Sequence, residues 1–178
     1  MARRSHDEKV GAIMKSLIPI VRNAGEGDKQ SFFGGGLHTW KLLAEDTDGA
    51  FFLFEDTMVK DKTTPLHLHP EAHEMTYVVD GEIEVQADGD RSRVRSGGMS
   101  FVPKGVAHAF IVLSAEARLI TIQSPGAVGQ AFYRGASDPA PDDTADIVDL
   151  DRLQASAAEN PRGIKLLGPP PFAPAATR

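Results

Sequence analysis

The middle of the chain consists of short apolar runs separated by Gly, Pro and Asp. Runs of this length with alternating polar and apolar positions predict strands, because successive side chains on a strand face opposite sides. Asp88-Gly89-Asp90 predicts a hairpin turn, since glycine readily adopts a positive φ. Nine strands joined by tight turns predict a β-sandwich or barrel. The predicted strands are 37–43, 50–59, 65–69, 75–79, 82–87, 91–95, 99–102, 107–113 and 118–123.

Helical periodicity occurs toward the two ends of the chain. Ser5-x-x-Glu8 has the pattern of a capping box and predicts a helix that runs to about residue 16. A second helix is predicted over 144–158, where four apolar residues share one face that would dock on the barrel. Those four residues are Ile147, Leu150, Leu153 and Ala157. A proline-rich tail follows at 168–171.

Charge is distributed unevenly along the chain. The 178 residues include 19 basic and 25 acidic ones, and the net charge of −6 argues against nucleic acid as a partner. Six aspartates between residues 138 and 151 account for the whole excess, and their spacing is not that of a calcium loop. The chain therefore divides into an N-terminal helix and extension (1–30), a barrel (31–136), and an acidic linker, helix and tail (137–178).

Several classes of protein are excluded by composition. The chain has no cysteine, which excludes disulfides, thiolate metal sites and a cysteine nucleophile. The longest segment without a charged side chain, 119–133, is interrupted by Pro125 and is too short to span a bilayer. The first residues are charged where a signal peptide would be apolar. We therefore expect a cytoplasmic protein with no membrane contact.

Histidines are concentrated in the segment 65–74. His67 and His69 alternate on one predicted strand, so their rings project to the same side. Glu74 opens the next strand and can reach the same point if that strand folds back, while His108 opens a later strand after a Pro-Gly turn. Three imidazoles and a carboxylate suit one divalent transition metal: Fe, Mn, Co, Ni, Zn or Cu.

These residues stand in two motifs that resemble the signatures of the cupin superfamily. The motifs are His67-x-His69-x4-Glu74-x6-Gly81 and Gly97-x5-Pro103-x-Gly105-x2-His108. The resemblance covers about 50–125 and implies an all-β fold, a double-stranded β-helix barrel with short helices at both termini. It also implies a metal at the barrel mouth, held by His67, His69, Glu74 and His108.

A narrower resemblance is to small single-domain cupins of the quercetin 2,3-dioxygenase-like group. It rests on segments around the motifs, namely 46–50, 101–105, 124–126 and 131–133. Two positions depart from the superfamily pattern. Asp61 replaces the glycine that usually opens the first motif, and Val112 replaces the asparagine that often closes the second.

A rival grouping joins His69 and His73 on a helix, as in zinc peptidases. We reject it because Pro70 lies within the span and no glutamate follows the first histidine. His73 and Glu71 then lie on the turn beside the metal, either supporting the ligands or exposed to solvent. His6 and His38 are interpreted as surface residues or satisfied core residues.

The resemblance implies a metal-dependent dioxygenase that acts with O2 on an enolic or phenolic small molecule. Glu74 would be a ligand, a catalytic general base, or both. Phe52, Phe54, Phe101 and Phe110 are candidates to line an apolar substrate pocket. Two alternatives remain open: a metal-containing binding or sensing module without turnover, and a metal-dependent isomerase or hydrolase.

The predicted strands are apolar on both faces. If Glu74, Thr76 and Val78 face the barrel interior, then Met75, Tyr77 and Val79 face outward. The strands around residues 66–68 and 109–113 also carry apolar side chains on the outer side. An exposed apolar surface of this kind predicts a second subunit, and we expect a homodimer.

Overall fold

Two antiparallel sheets pack face to face in the computed structural model, which describes residues 17–141 and 147–172. The seven-stranded sheet has the order β11-β1-β2-β3-β10-β5-β8, and the five-stranded sheet has the order β12-β4-β9-β6-β7. The strands are β1 Asp28–Phe32, β2 Gly36–Leu42, β3 Phe52–Val59, β4 Leu66–Leu68, β5 His73–Asp80, β6 Glu82–Ala87, β7 Asp90–Arg95, β8 Met99–Val102, β9 His108–Val112, β10 Glu116–Ser124, β11 Ser137–Pro139 and β12 Lys165–Gly168.

The predicted double-stranded β-helix barrel is confirmed. All nine predicted strands are present, as β2 to β10. Three further strands were not predicted, because each is short and lacks an alternating apolar pattern. Strand β1 pairs with β2 and with β11, while β12 pairs with β4. The barrel sheets therefore include two strands from beyond residue 136.

The predicted hairpin turn connects β6 and β7. Ala87 pairs with Asp90, so the turn contains two residues, Asp88 and Gly89. Their φ angles are 52° and 86°, and a two-residue turn with positive φ at both positions matches the twist of the flanking strands.

The interior is divided into two hydrophobic clusters. One is largely aromatic and contains Trp40, Phe52, Phe54, Phe132 and Tyr133 together with apolar residues of the helices. The other is largely aliphatic and includes Val78, Ile83, Val112 and Leu119. The candidate site described below lies beside the aromatic cluster.

Two helices pack on the aromatic end, α1 Gly126–Gly135 and α2 Leu150–Glu159. Helix α1 was not predicted, because its glycines give little helical signal. They are required for packing, since a Cβ at Gly126 would come within 2.4 Å of the Phe51 backbone. Neither helix in the described residues is long and apolar enough to cross a membrane.

The start of the predicted C-terminal helix was wrong. Val148 forms a bridge with Phe33, and the Asp149 side chain caps α2 by accepting a hydrogen bond from the Arg152 backbone N–H at 2.9 Å. Two of its four predicted docking residues, Leu153 and Ala157, are buried, whereas Ile147 and Leu150 are exposed. The predicted N-terminal helix lies outside the described residues.

Candidate metal centre

Neighbouring strands bring the four residues of the predicted cluster together. His67 lies on β4 in register with His108, the first residue of β9. His69 follows β4 directly, and Glu74 lies on β5 in register with Gln123 of β10. All four predicted side chains are buried. The alternation expected on β4 is observed, because Leu66 and Leu68 are more exposed than the two histidines.

Each histidine ring is oriented by a backbone carbonyl. The Nδ1 atoms of His67, His69 and His108 lie 2.8, 2.7 and 3.0 Å from the carbonyl oxygens of Pro65, Gly163 and Val106. A carbonyl only accepts, so each Nδ1 must donate, and the Nε2 lone pair is left free in the neutral ring. One ring nitrogen from each histidine lies within 4.8 Å of the others.

The donor set fits a cation. Nε2 of His108 is buried without a well-aligned hydrogen-bond partner among the described residues, and the nearest carboxylate oxygen, Glu74 Oε1, is 3.4 Å away. A buried polar atom without a partner costs about 1–3 kcal/mol. A cation bound at the converging Nε2 atoms would remove that cost, and imidazole nitrogens with a carboxylate are ligands that transition metals accept.

Glu74 is held by three neighbours at one oxygen. Its Oε2 lies 3.0 Å from His69 Nε2 and accepts hydrogen bonds from Gln123 Nε2 at 2.9 Å and Tyr133 OH at 3.1 Å. Gln123 also contacts Tyr133, and its other amide atom occupies the space that a side chain at Gly129 would need. The glycine in α1 thus allows the amide to reach the carboxylate.

The charges of the cluster follow from this packing. Burial alone would raise the pKa of Glu74, but the close approach of His108 and His69 outweighs burial and holds that pKa well below its usual value. Burial and the neighbouring histidines lower the pKa of His67, whereas Glu74 raises the pKa of His108 against the effect of burial. Burial and the Glu74 charge keep the Tyr133 phenol protonated. The result is an ionised carboxylate, the form that a cation requires, whereas the raised pKa of His108 favours a ring proton that a bound cation would have to displace.

Comparison with known proteins identifies the family. Residues 54–123 match the Cupin domain family. Polyketide synthase CurC of Streptomyces cyaneus is 32% identical over 115 residues, which are 63% of this chain and 73% of that protein. The chain belongs to the cupin superfamily.

Two other proteins are similar to this cupin. Quercetin 2,3-dioxygenase of Bacillus subtilis (strain 168) is 28% identical over 121 residues, which are 68% of this chain. The matched part is only 36% of that enzyme, so the cupin spans little more than a third of its relative. Among solved structures, KdgF from Halomonas sp. superposes with a TM-score of 0.55 at 19% identity, covering 61% of this chain and 94% of that one. That likeness shows a shared fold.

Asp61 and Val112, the two positions at which this cupin departs from the superfamily motifs, are in contact with each other. Asp61 has a φ of 67°, the left-handed region that favours glycine and that Asp tolerates better than most residues. Its N–H donates to the carbonyl of Val112, the residue at the second departure. The chain thus keeps the backbone conformation of a glycine position while using an aspartate.

Several polar residues near the centre have other partners. Glu71 forms a two-point ion pair with Arg162, at 2.8 and 2.5 Å. His73 accepts a hydrogen bond from the Lys104 N–H at 3.2 Å and stacks on Phe101. The contacts of Glu71 and His73 are therefore with the segment before β12 and with the loop after β8.

A narrow apolar cavity adjoins the cluster. About 50 Å³ of it is open to water-sized molecules, which is room for a few waters. His67 and Glu74 form part of its wall, with aromatic residues along its length. Of the four phenylalanines predicted to line a pocket, Phe54 and Phe110 do so. Phe52 belongs to the core, and the prediction for Phe101 was wrong, because its side chain is 57% exposed on the outer face of β8.

Sequence reasoning missed Gln123, Tyr133 and Gly163. Gln123 carried a signal, because it stands at an inward position of a predicted strand among apolar residues. The other two carried none, since their contacts depend on α1 and on the segment before β12. His38, interpreted as a surface residue or a satisfied core residue, is buried in the cavity wall, where its Nε2 lies 2.8 Å from Asp56 Oδ1 and its Nδ1 has no hydrogen bond within the described residues.

The buried Lys62 gives a testable pH dependence of stability. Burial lowers the pKa of its ammonium to about 8, against an opposing effect of Asp56. Between that value and the unfolded pKa of about 10.4, the unfolded chain binds more protons, so the free energy of unfolding rises with pH. Between pH 8 and pH 10.5, Lys62 should raise the free energy of unfolding of the wild type by roughly 2–3 kcal/mol, and Lys62→Met should remove that rise. Urea denaturation at the two pH values measures it.

The exposed Lys60 supplies the matched control for this measurement. Lys60→Met should keep the wild-type difference between the two pH values, because its ammonium is solvated in both states. An identical pH dependence in wild type and Lys62→Met would show that the ammonium is not buried as described.

Proposed function

We propose that this cupin is a metal-dependent dioxygenase acting with O2 on an enolic or phenolic small molecule. The observation that carries the proposal is the convergence of three imidazoles, with one ring nitrogen of each within 4.8 Å of the others, beside the ionised Glu74 at one wall of an apolar cavity. The similarity to a quercetin 2,3-dioxygenase over 68% of the chain supports this reaction class.

The proposed ligands are His67, His69, Glu74 and His108, and the ion is one divalent transition metal, Fe, Mn, Ni, Co, Cu or Zn. Bound there, such an ion would supply Lewis acidity that lowers the pKa of a substrate hydroxyl and would allow the ionised substrate to react with O2. The carbonyls of Pro65, Gly163 and Val106 hold the rings in the tautomer that this role needs.

Glu74 is proposed as both ligand and general base. Its Oε2 is occupied by Gln123 and Tyr133, whereas Oε1 faces His108 at 3.4 Å and is the freer oxygen. Oε1 is therefore the atom that would accept the substrate hydroxyl proton, while the amide and phenol keep the carboxylate in place. The aromatic walls of the cavity exclude water from the ionised substrate.

A second candidate is proton transfer without O2, as in an isomerase or cyclase. It is favoured by the similarity to a protein named polyketide synthase CurC, of which this chain covers 73%. Here Glu74 would move a proton next to a carbonyl, and the same ligands would hold the ion. A binding module without turnover is the third alternative.

Metal content tests the ligand set. His67→Ala should reduce stoichiometric metal to a trace, because only two histidine ligands would remain beside the Glu74 carboxylate. His73→Ala is the matched control, since His73 lies six residues away and outside the cluster, and it should retain the metal. Elemental analysis of protein purified without chelator gives the answer. Full metal in His67→Ala would refute the assigned ligands.

Oxygen uptake tests the reaction class. With a panel of flavonols and other enediol-like compounds, the wild-type protein should consume O2, and His67→Ala should consume none. An oxygen electrode and product mass spectrometry together separate the candidates. Product of unchanged mass without O2 uptake would favour the isomerase, and tight binding without product would favour the binding module.

We also propose that the protein is a homodimer. Apolar residues occupy matching positions on the outer faces of β10, β5 and β8, where Ile122, Met75 and Phe101 are in register. The next row on the same face, two residues further along each strand, contains Ile120, Tyr77 and Met99. Phe101, Met99 and Tyr77 are 57, 50 and 40% exposed, and a contiguous apolar patch of this kind marks an association surface.

Sedimentation velocity at micromolar concentration tests the dimer. The wild type should sediment as a dimer, and Phe101→Glu should sediment as a monomer because it buries a charge in the interface. Val59→Glu, at an exposed apolar position on β3 away from this patch, should remain dimeric. A monomeric wild type would overturn the proposal.

A further inference from the structure

His69 differs from the other two histidines of the cluster in the source of the carbonyl that orients it. The other two rings are oriented by carbonyls two residues before them, whereas the Gly163 carbonyl comes from ninety-four residues later in the chain. Gly163 belongs to the segment 160–164, which connects α2 to β12 and lies outside the part of the chain that matches the Cupin domain family. The orientation of His69 therefore depends on how well a distant segment is held in place.

The two ring nitrogens of His69 face different sets of neighbours. Nδ1 lies 2.7 Å from the carbonyl oxygen of Gly163, which only accepts hydrogen bonds. Nε2 lies 3.0 Å from Glu74 Oε2, another acceptor, and 2.9 Å from Gln123 Nε2, which is a donor. The neutral ring therefore has two alternative pairings. A proton on Nδ1 binds the carbonyl and leaves Nε2 to accept from the amide, whereas a proton on Nε2 binds Glu74.

The Gly163 carbonyl decides between these two tautomers. With the proton on Nε2, the Nδ1 lone pair would face the carbonyl oxygen at 2.7 Å, and two buried acceptors at that distance cannot satisfy each other. If the carbonyl moved away, this penalty would disappear and the Glu74 carboxylate would draw the proton to Nε2. A protonated nitrogen cannot bind a metal, so the position of the carbonyl determines whether Nε2 is available to a cation.

An ion pair holds the same segment beside His69. Arg162 directly precedes Gly163, and its partner Glu71 lies two residues after His69. Nε and Nη2 of Arg162 donate to the two carboxylate oxygens of Glu71 at 2.8 and 2.5 Å. A two-point pair fixes the relative orientation of its partners and is stronger than an ordinary exposed ion pair. The ion pair and the hydrogen bond to His69 thus join the same two stretches of backbone.

Helix α1 packs against the same glycine. A Cβ at Gly163 would come within 2.7 Å of the carbonyl oxygen of Val128 and 3.3 Å of Gly129 Cα. The N–H of Gly163 donates to the carbonyl of Asn160 at 2.9 Å, which closes a tight turn after α2. The backbone at this position therefore has no room for a side chain, and a displacement of the segment must change the contact with His69.

We propose that Arg162 and Glu71 are positioning residues of the metal centre, which keep the ring proton of His69 on Nδ1. They act through the backbone, because their ion pair holds the Gly163 carbonyl against the ring. The inference deepens the proposed function. Its statement about the tautomer concerns the metal-free protein, whereas the resulting effect on metal affinity rests on the proposed function and its ligand set.

The tautomer of His69 in the metal-free protein tests the inference. Long-range proton–nitrogen NMR spectra at mildly alkaline pH distinguish the two tautomers, and the His69 signals are those missing from His69→Gln. The wild type should carry the proton on Nδ1. Arg162→Gln and Glu71→Gln should each shift the tautomer ratio toward Nε2 by about threefold to fivefold, the effect of one well-aligned exposed ion pair. Arg95→Gln is the matched control and should keep the wild-type ratio, because it removes only the pair with Glu82 on the β6–β7 hairpin.

Affinity for Zn²⁺, measured by competition with a chelator, tests the consequence for the metal. Arg162→Gln and Glu71→Gln should each bind Zn²⁺ about threefold to fivefold more weakly than the wild type. The double variant should be no weaker than either single variant, because both substitutions remove the same ion pair. Gly163→Ala should weaken binding by about tenfold to a hundredfold, since its Cβ would push the carbonyl away from the ring.

The outcomes separate this inference from the proposed function. An unchanged tautomer ratio in both single variants, or a wild-type ring protonated on Nε2, overturns the inference even if the protein consumes O2. Additive effects of the two substitutions also overturn it, because the residues would then not act as a pair. A shifted tautomer with unchanged affinity for Zn²⁺ supports the positioning role and refutes His69 as a ligand. The test does not depend on the folding of Gly163→Ala, since the Arg162 side chain is 74% exposed and its replacement leaves the core intact.

Discussion

Three hydrogen bonds from imidazole to backbone determine what this cupin can do at its centre. In each, a carbonyl oxygen takes the Nδ1 proton of a histidine and thereby aims the opposite nitrogen at a common point. Two of the carbonyls, at Pro65 and Val106, stand two residues before the histidine that they orient, so the local backbone alone supplies them. The third, at Gly163, comes from a distant segment. Without these bonds the rings could adopt either tautomer, and the cluster would lose its shared geometry.

The two hydrophobic clusters of the interior differ in how many polar groups are buried beside them. The aliphatic cluster contains Val78, Ile83 and Leu119 with no titratable group, as expected of a core that serves packing. The aromatic end holds the buried histidines, carboxylates and Lys62 beside large flat side chains. Buried charges are costly, and an aromatic ring reduces that cost where the Lys62 ammonium lies 4.7 Å from the centroid of the Phe33 ring. The destabilising cost of the buried polar groups is therefore concentrated at the aromatic end of the barrel.

The sequence was informative where function depends on short spacing. Alternation located nine strands, and the motifs located His67, His69, Glu74 and His108 because each has a fixed spacing within one of the two motifs. It was uninformative where function depends on register between distant strands. His38 and Asp56 are eighteen positions apart and meet only because β2 pairs with β3 in one register. Tyr133 lies on a glycine-rich helix whose propensity is weak, so tertiary packing rather than local preference creates it.

The position of Gly163 has a consequence for the order in which the protein is made. Its carbonyl orients His69, Arg162 next to it holds Glu71, and β12 immediately afterwards pairs with the strand that carries His67. The remaining centre residues, up to Tyr133, leave the ribosome about thirty residues earlier. During synthesis, the strands that carry the four centre residues are made before this segment, so β12 can complete the five-stranded sheet and Gly163 can orient His69 only after residues 163–168 have been made. The last orienting contact of the centre is thus supplied by a segment that follows all the other centre residues along the chain.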